Sequence, residues 1–352
     1  MVALHEYERY YIAHDVLMAL TFIPCIVIFL CALCLARRRK DPARSAFTYL
    51  KVAFAFLALL IFLDFCSYAL ALASALVHYD ASDEASSNIL RGTAHAQYNM
   101  FTVAQTFEAI TDILTFLMLL RLSTGILFIQ TGKPGKLDNI FKFGSYSIAS
   151  VLAIIAVVQF GLRIHFYNNI FANTQLSTKS ITDQFNSSRQ LDFSFRVLVF
   201  VLAIAIVAQS VIVKIKMTSE LQVSSAANIL VACAGLWFLR TVYGVASRAS
   251  ALNQSDIRYD PFYKGYFCIL DIIFGTWPLF ILLCLVFRLG SKKKNGLWST
   301  EQPFMTDTQS GDAMTPWGYS YDSQTIAPPP VAHQQRQPPP SVQVPPPYYE
   351  KA

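Results

Sequence analysis

Apolar residues along the chain gather into seven blocks, over 16–36, 50–77, 100–129, 143–165, 193–213, 226–247 and 262–287, separated by polar stretches. These blocks are too long for buried strands or ordinary core helices. A helix rising 1.5 Å per residue needs about 20 apolar residues to cross about 30 Å of hydrocarbon, and every block reaches that length. The pattern predicts an all-α membrane protein, a seven-transmembrane helix bundle over 16–290. In this reading residues 1–15 are a short extracellular N-terminus and 291–352 a disordered, Pro-rich cytosolic tail. The polar start His5-Glu6-Tyr7-Glu8-Arg9 lacks the basic n-region of a signal peptide, so the first span is expected to be retained.

Composition agrees. Of 352 residues 54% are apolar and 14% charged, against about 25% charged in soluble domains, and the mean hydropathy is +0.42. A soluble enzyme is excluded. The net charge of +6 resides in short clusters beside the apolar blocks, with no long basic face to track phosphates, so nucleic acid is not an expected partner. Membrane lipids are.

Lysine and arginine are retained on the cytosolic side during insertion. Arg37, Arg38, Arg39, Lys40, Arg44 and Lys51 follow span one, Lys133, Lys136 and Lys142 span three, Lys214 and Lys216 span five, and Arg288 with Lys292–Lys294 span seven. The alternate loops hold few cations, Arg248 and Arg258 among them, beside acids such as Asp80, Asp83, Glu84 and Asp183. The charge bias places the N-terminus outside and the C-terminus in the cytosol, in the plasma membrane or an endomembrane. Two glycosylation sequons, at Asn186 and Asn253, fall in loops on the outer side. Lys292–Lys294 either anchor the topology or gain about 1 kcal/mol each from anionic lipid.

Ionisable groups inside the blocks are the candidate site, because each costs roughly 2.5 to 3.5 kcal/mol at a helix centre and has to face protein or water. They are Asp64 in span two, Glu108 and Asp112 in span three, Arg240 in span six and Asp271 in span seven. Gln105, Glu108, Asp112 and Thr115 repeat at three- and four-residue intervals, which gives span three a polar face. Arg240 and Asp271 lie at matching depth. An ion pair joining spans six and seven is one expectation; the other gives the planar fork of Arg240 to an anionic headgroup or ligand carboxylate. Four deep acids exceed the one deep arginine, with Arg163 and Arg196 placed nearer the outer ends. Either Asp64, Glu108 or Asp112 is protonated or shares a bound cation, or hydroxyls and amides on adjacent helices neutralise the acids. Arg121 is expected to snorkel to the headgroups.

All seven cysteines lie in apolar blocks, and Cys31 and Cys34 form the one Cys-x-x-Cys pair, facing lipid or neighbouring helices. His14, His78, His95 and His165 fall near the outer interface without the i, i+4 spacing that presents two imidazoles to one ion; they are expected to be solvated. No metal site and no cofactor is expected. Pro24 and Pro278 interrupt spans one and seven, as static kinks or, beside Gly275 and Trp277, a hinge.

From Ser291 the chain turns polar and Pro-rich, with triplets at Pro328–Pro330, Pro338–Pro340 and Pro345–Pro347 that prefer polyproline II. Pro345-Pro346-Pro347-Tyr348-Tyr349 holds Pro-Pro-x-Tyr in two overlapping registers and resembles the ligand of WW domains. The resemblance implies a WW-containing ubiquitin ligase as partner of the tail, acting in endocytic sorting.

Known seven-span signatures are missing. Span three ends Leu119-Leu120-Arg121-Leu122-Ser123 without Asp/Glu-Arg-Tyr, and span seven reads Gly275-Thr276-Trp277-Pro278 without Asn-Pro-x-x-Tyr, retinal-binding lysine or His-x-x-x-His. Leu239-Arg240-Thr241-Val242-Tyr243 and Tyr266-Phe267-Cys268-Ile269-Leu270-Asp271 together resemble the end of fungal seven-span lipid-translocating exporters. Gly244 and Ser247 stand where that family has an arginine and a glutamate, and span three does not follow its pattern. The resemblance implies movement of a lipid or amphiphile. Two expectations result: a non-enzymatic, receptor-like sensor with an outward cavity lined by Glu108, Asp112, Arg240 and Asp271, or a lipid transporter using the same cluster as a midplane site. An enzyme is not expected, since no nucleophile, base and metal constellation is present.

Overall fold

Seven long helices follow the seven apolar blocks in the computed structural model, which describes residues 6–36, 41–80, 84–131, 136–171, 178–217, 221–252, 266–292 and 297. They are α1 (Glu6–Leu35), α2 (Ala46–Asp80), α3 (Glu84–Thr131), α4 (Lys136–Phe171), α5 (Thr178–Lys216), α6 (Leu221–Leu252) and α7 (Tyr266–Ser291). A single 3-10 turn, Pro42–Arg44, precedes α2, and among the described residues there is no strand. All seven are long and apolar enough to cross a membrane, so the chain is a multi-pass, all-helical membrane protein.

Successive helices pack side by side, and α7 closes the bundle against α1, α2 and α6. Helix α3 touches α2, α4, α5 and α6, and 72% of its most apolar window is buried, against 22% in α1 and α4. It is the central helix, which explains why its polar stripe is tolerated. On α1 the faces separate at helical spacing: His14, Met18, Thr21, Cys25 and Ala32 turn inward, while Val16, Leu20, Ile23, Val27 and Leu30 are exposed where hydrocarbon would lie. Cys31 and Cys34 are on the exposed side.

The lysine-rich half of the bundle has a mostly apolar core that also encloses Arg44 and Arg121. Trp237 is fully buried and stacks on Phe116 at 6.3 Å, with Leu119, Leu122, Ile126, Leu282, Leu283 and Val286 beneath it. Small residues permit close approach there. A Cβ on Gly125 would stand 2.5 Å from the Ala43 carbonyl oxygen, and one on Gly290 would stand 2.7 Å from the Phe47 ring. Arg44, read from the sequence as a loop charge, is buried instead; its guanidinium lies over Phe47 at 4.7 Å and donates to the Gly290 carbonyl at 2.5 Å, capping the end of α7.

Helix ends depart most from the sequence reading. The polar stretch before residue 100 continues α3 by four turns, because Tyr98 stacks on Tyr167 at 4.7 Å, His95 bonds Asn168 at 3.0 Å, and Arg91 donates to the Phe171 carbonyl. Likewise α5 begins at Thr178, and Phe185 packs on Phe166 at 5.3 Å. Tertiary partners supply what local hydrophobicity lacks. Arg121 does not snorkel: it is buried with its guanidinium 5.2 Å from the Tyr146 ring.

Helix α7 is irregular. An α-helical start, Tyr266–Leu270, gives way to a π-helical segment, Asp271–Thr276, before the α-helix resumes at Trp277–Ser291. Pro278 has no N–H to donate, and the Trp277 N–H reaches back five residues to the Ile272 carbonyl. The indole of Trp277 donates to Thr21 Oγ1 at 3.1 Å, which ties the irregular segment to α1.

Candidate functional site

One helical turn on α3 separates Glu108 from Asp112, so both carboxylates project from the same face of the central helix. Two guanidiniums meet them. Arg240 on α6 donates through Nε to Asp112 Oδ1 at 2.9 Å and through Nη2 to Glu108 Oε1 at 3.0 Å. Arg196 on α5 donates through Nη1 to Asp112 Oδ2 at 3.1 Å and through Nη2 to Glu108 Oε2 at 2.6 Å. Two acids and two arginines thus alternate in a neutral tetrad, each planar fork spanning both carboxylates. Such a group is tolerated in a low-dielectric interior because each charge has an oppositely charged hydrogen-bond partner. Arg240 also donates through Nη1 to the Gly275 carbonyl in the π segment of α7. The tetrad therefore joins four helices.

This geometry corrects the expected Arg240–Asp271 pair. Among the described residues Asp271 makes no ion pair within 4 Å; it is exposed, and lines a cavity. The acids of α3 are also not neutralised by hydroxyls. Thr111 and Thr115 donate to carbonyls of their own helix, of Phe107 and Thr111 respectively. Asp64 stands apart from Glu108 and Asp112 in its pairing: its Oδ2 is 3.4 Å from His14 Nε2, and His14 Nδ1 is 3.4 Å from Asp15. His14 is buried against the Tyr68 ring at 3.9 Å and is not solvated.

A second cluster lies beside the tetrad. Asp192, one turn before Arg196 on α5, accepts from Gln159 at 2.8 Å and pairs with Arg163 and Arg248, each at 3.1 Å. Arg196 links the clusters, its Nε 3.9 Å from Asp192. The sequence placed Arg248 in an outer loop, yet α6 continues to Leu252 and carries it inward. The Asp192-x-x-x-Arg196 spacing was the one local signal of this hub, two opposite charges on one helical face.

The cavity, about 730 Å³ only when the open solvent at its mouth is included, sits in the half of the bundle opposite the lysine-rich loops. Met18, Leu60, Arg240 and Thr276 mark its deepest level, and Tyr68, Phe101 and Ser247 lie toward the helix ends opposite the lysine-rich loops. Of the five intramembrane candidates, Asp64, Glu108, Arg240 and Asp271 line it, and Asp112 lies behind Glu108, buried. Among the described residues no group of three or more His, Cys, Asp and Glu side chains is disposed to hold a metal ion. Asn186 is exposed but sits within α5 and not in a loop. Asn253 and the tail motif Pro345, Pro346, Pro347, Tyr348 and Tyr349 lie outside the described residues.

No protein-family model, no curated protein and no solved structure matches the chain. Its class is therefore defined by the fold and the site alone: a seven-helix membrane protein with a charged, partly open intramembrane cavity.

Proposed function

We propose that this chain is a non-enzymatic, receptor-like membrane protein that senses a ligand in the cavity. The observation that carries this reading is the double role of Glu108 and Arg240. Both line the cavity, and both belong to the tetrad that fastens α3, α5, α6 and the π segment of α7. A ligand that competes for either group shifts the packing of four helices at once, and its differential affinity sets the size of the response. Below the cavity Trp237 and the described residues packed around it are fully buried, which favours sensing over passage. The charge rule directs the lysine-rich end to the cytosol, where the tail motif at Pro345–Tyr349 would recruit a WW-containing ubiquitin ligase and set turnover.

A lipid or amphiphile transporter, as the likeness of spans six and seven to the fungal exporters implies, is the second reading. The π-helical segment of α7 favours it, because such segments frequently stand at functional sites. Fluorescent-lipid flux in reconstituted vesicles separates the two. The sensor reading expects no flux above protein-free vesicles; flux that Arg240→Ala abolishes would establish transport instead.

A further inference from the structure

We infer that the cavity takes a small organic cation whose ammonium group is held by Asp271 and Asp64. The inference rests on the reading of the cavity as a ligand site and adds the charge class of the ligand. It follows from how the charges around the cavity are committed. Arg196 and Arg240 are shared between Glu108 and Asp112, and Arg163 and Arg248 converge on Asp192. On that side four arginines meet three carboxylates, one positive charge in excess, and each of the four guanidiniums already has a carboxylate partner.

The opposite wall, built from α1, α2 and α7, is different. Its carboxylates are Asp64 and Asp271 on the lining and Asp15 next to His14, and its one cationic candidate among the lining residues is His14, already between Asp15 and Asp64. With the three acids ionised this wall is negative whether His14 is charged or neutral. Asp271 is exposed and lines the cavity without an ion pair within 4 Å among the described residues; the Tyr243 hydroxyl and the charge of Arg248 are beside it, and Arg248 has its Nε on Asp192 at 3.1 Å. A charge at this depth interacts more strongly than in water, so a cation arriving here gains and an anion loses.

Chemistry narrows the cation further. The described residues offer no set of three His, Cys, Asp or Glu groups for a bare metal ion. They offer aromatic surface instead: Tyr68, Phe101 and Tyr243 line the cavity with the two carboxylates. Aromatic faces attract ammonium groups, by about 0.5 to 2 kcal/mol as desolvation increases, and they accommodate methyl or aryl substituents that a hydrated metal ion lacks.

The test uses the purified full-length protein in lipid nanodiscs, with choline and 2-phenylethylamine as probes. Controls are their uncharged counterparts, 3,3-dimethylbutan-1-ol and 3-phenylpropan-1-ol, together with acetate and ionic-strength-matched sodium chloride. Saturable binding of at least one amine, tenfold or more tighter than its neutral counterpart, is expected by calorimetry and thermal shift. Asp271→Asn is expected to lower that affinity at least tenfold while leaving the tetrad and the helical circular dichroism intact; Asp64→Asn provides a second variant, and Asp183→Asn, at the exposed start of α5, binds as wild type. Equal binding of neutral counterparts, an equal effect of sodium chloride, tighter binding of acetate, or no amine binding by folded protein overturns the inference. Acetate binding would leave the cavity as a ligand site with the charge class wrong. Uptake of choline into vesicles that Asp271→Asn abolishes would instead overturn the sensor reading and uphold the cationic site.

Discussion

Arg240→Met is the most informative single change, because the arginine donates to two carboxylates and to the backbone of α7. Methionine keeps the volume and removes the charge. Asp112, 1% exposed, is then left with Arg196 as its one ion-pair partner, and Glu108, 22% exposed, can recruit water from the cavity. Removing one partner from a buried pair costs about 3 to 5 kcal/mol, chiefly the uncompensated partner. Most of that cost falls on Asp112. Adding Asp112→Asn removes the stranded charge, so the double variant is expected to be more stable than the sum of the two single losses by about 1 to 3 kcal/mol. The parallel cycle with Asp271→Asn is expected to be additive within about 0.5 kcal/mol, because the two groups do not pair. Unfolding in mixed micelles measures both cycles. Coupling of Arg240 to Asp271 larger than its coupling to Asp112 would refute the tetrad and restore the pair that sequence depth alone suggests.

Two further outcomes test the packing and the second cluster. Gly125→Ala pushes a Cβ to 2.5 Å from a backbone oxygen, which has no rotamer to yield, and is expected to cost about 1 to 3 kcal/mol; Gly161→Ala, inside α4, meets nothing within 4 Å and is expected to be neutral or up to about 1 kcal/mol more stable than wild type in the same unfolding assay. Asp192→Ala strands Arg163 and Arg248 together and is expected to destabilise by about 3 to 5 kcal/mol, more than Glu108→Gln, whose carboxylate reaches the cavity; thermal unfolding of the two variants ranks them.

The seven spans were legible because a bilayer imposes a length and a polarity that local composition records directly. The polar face of α3 was legible too, from the spacing of Glu108 and Asp112. Their partners were not. Depth along each span put Arg240 beside Asp271, but ion pairing depends on the rotation of α6 about its axis and on which helix is central, and neither is written in one helix alone. Arg248 reads as a loop residue and Arg196 as near the end of span five because hydropathy falls there, whereas the helices continue and bring both inward against Asp192. Arg44 was hidden for a similar reason: a basic residue beside a span reads as a topology signal until a carbonyl such as that of Gly290 is found within its reach.

The claim on which the account rests is that the charged cavity opens to the side opposite the lysine-rich loops while the core residues below it, Trp237 and Leu283 among them, are buried. Modification of Ser247→Cys by a membrane-impermeant maleimide in intact cells tests it directly, with the wild type reporting any background from native cysteines and Leu283→Cys probing the core. Labelling of Ser247→Cys from outside, with Leu283→Cys unreactive from both sides, is the predicted result. Labelling of Ser247→Cys only after the cells are permeabilised would contradict it.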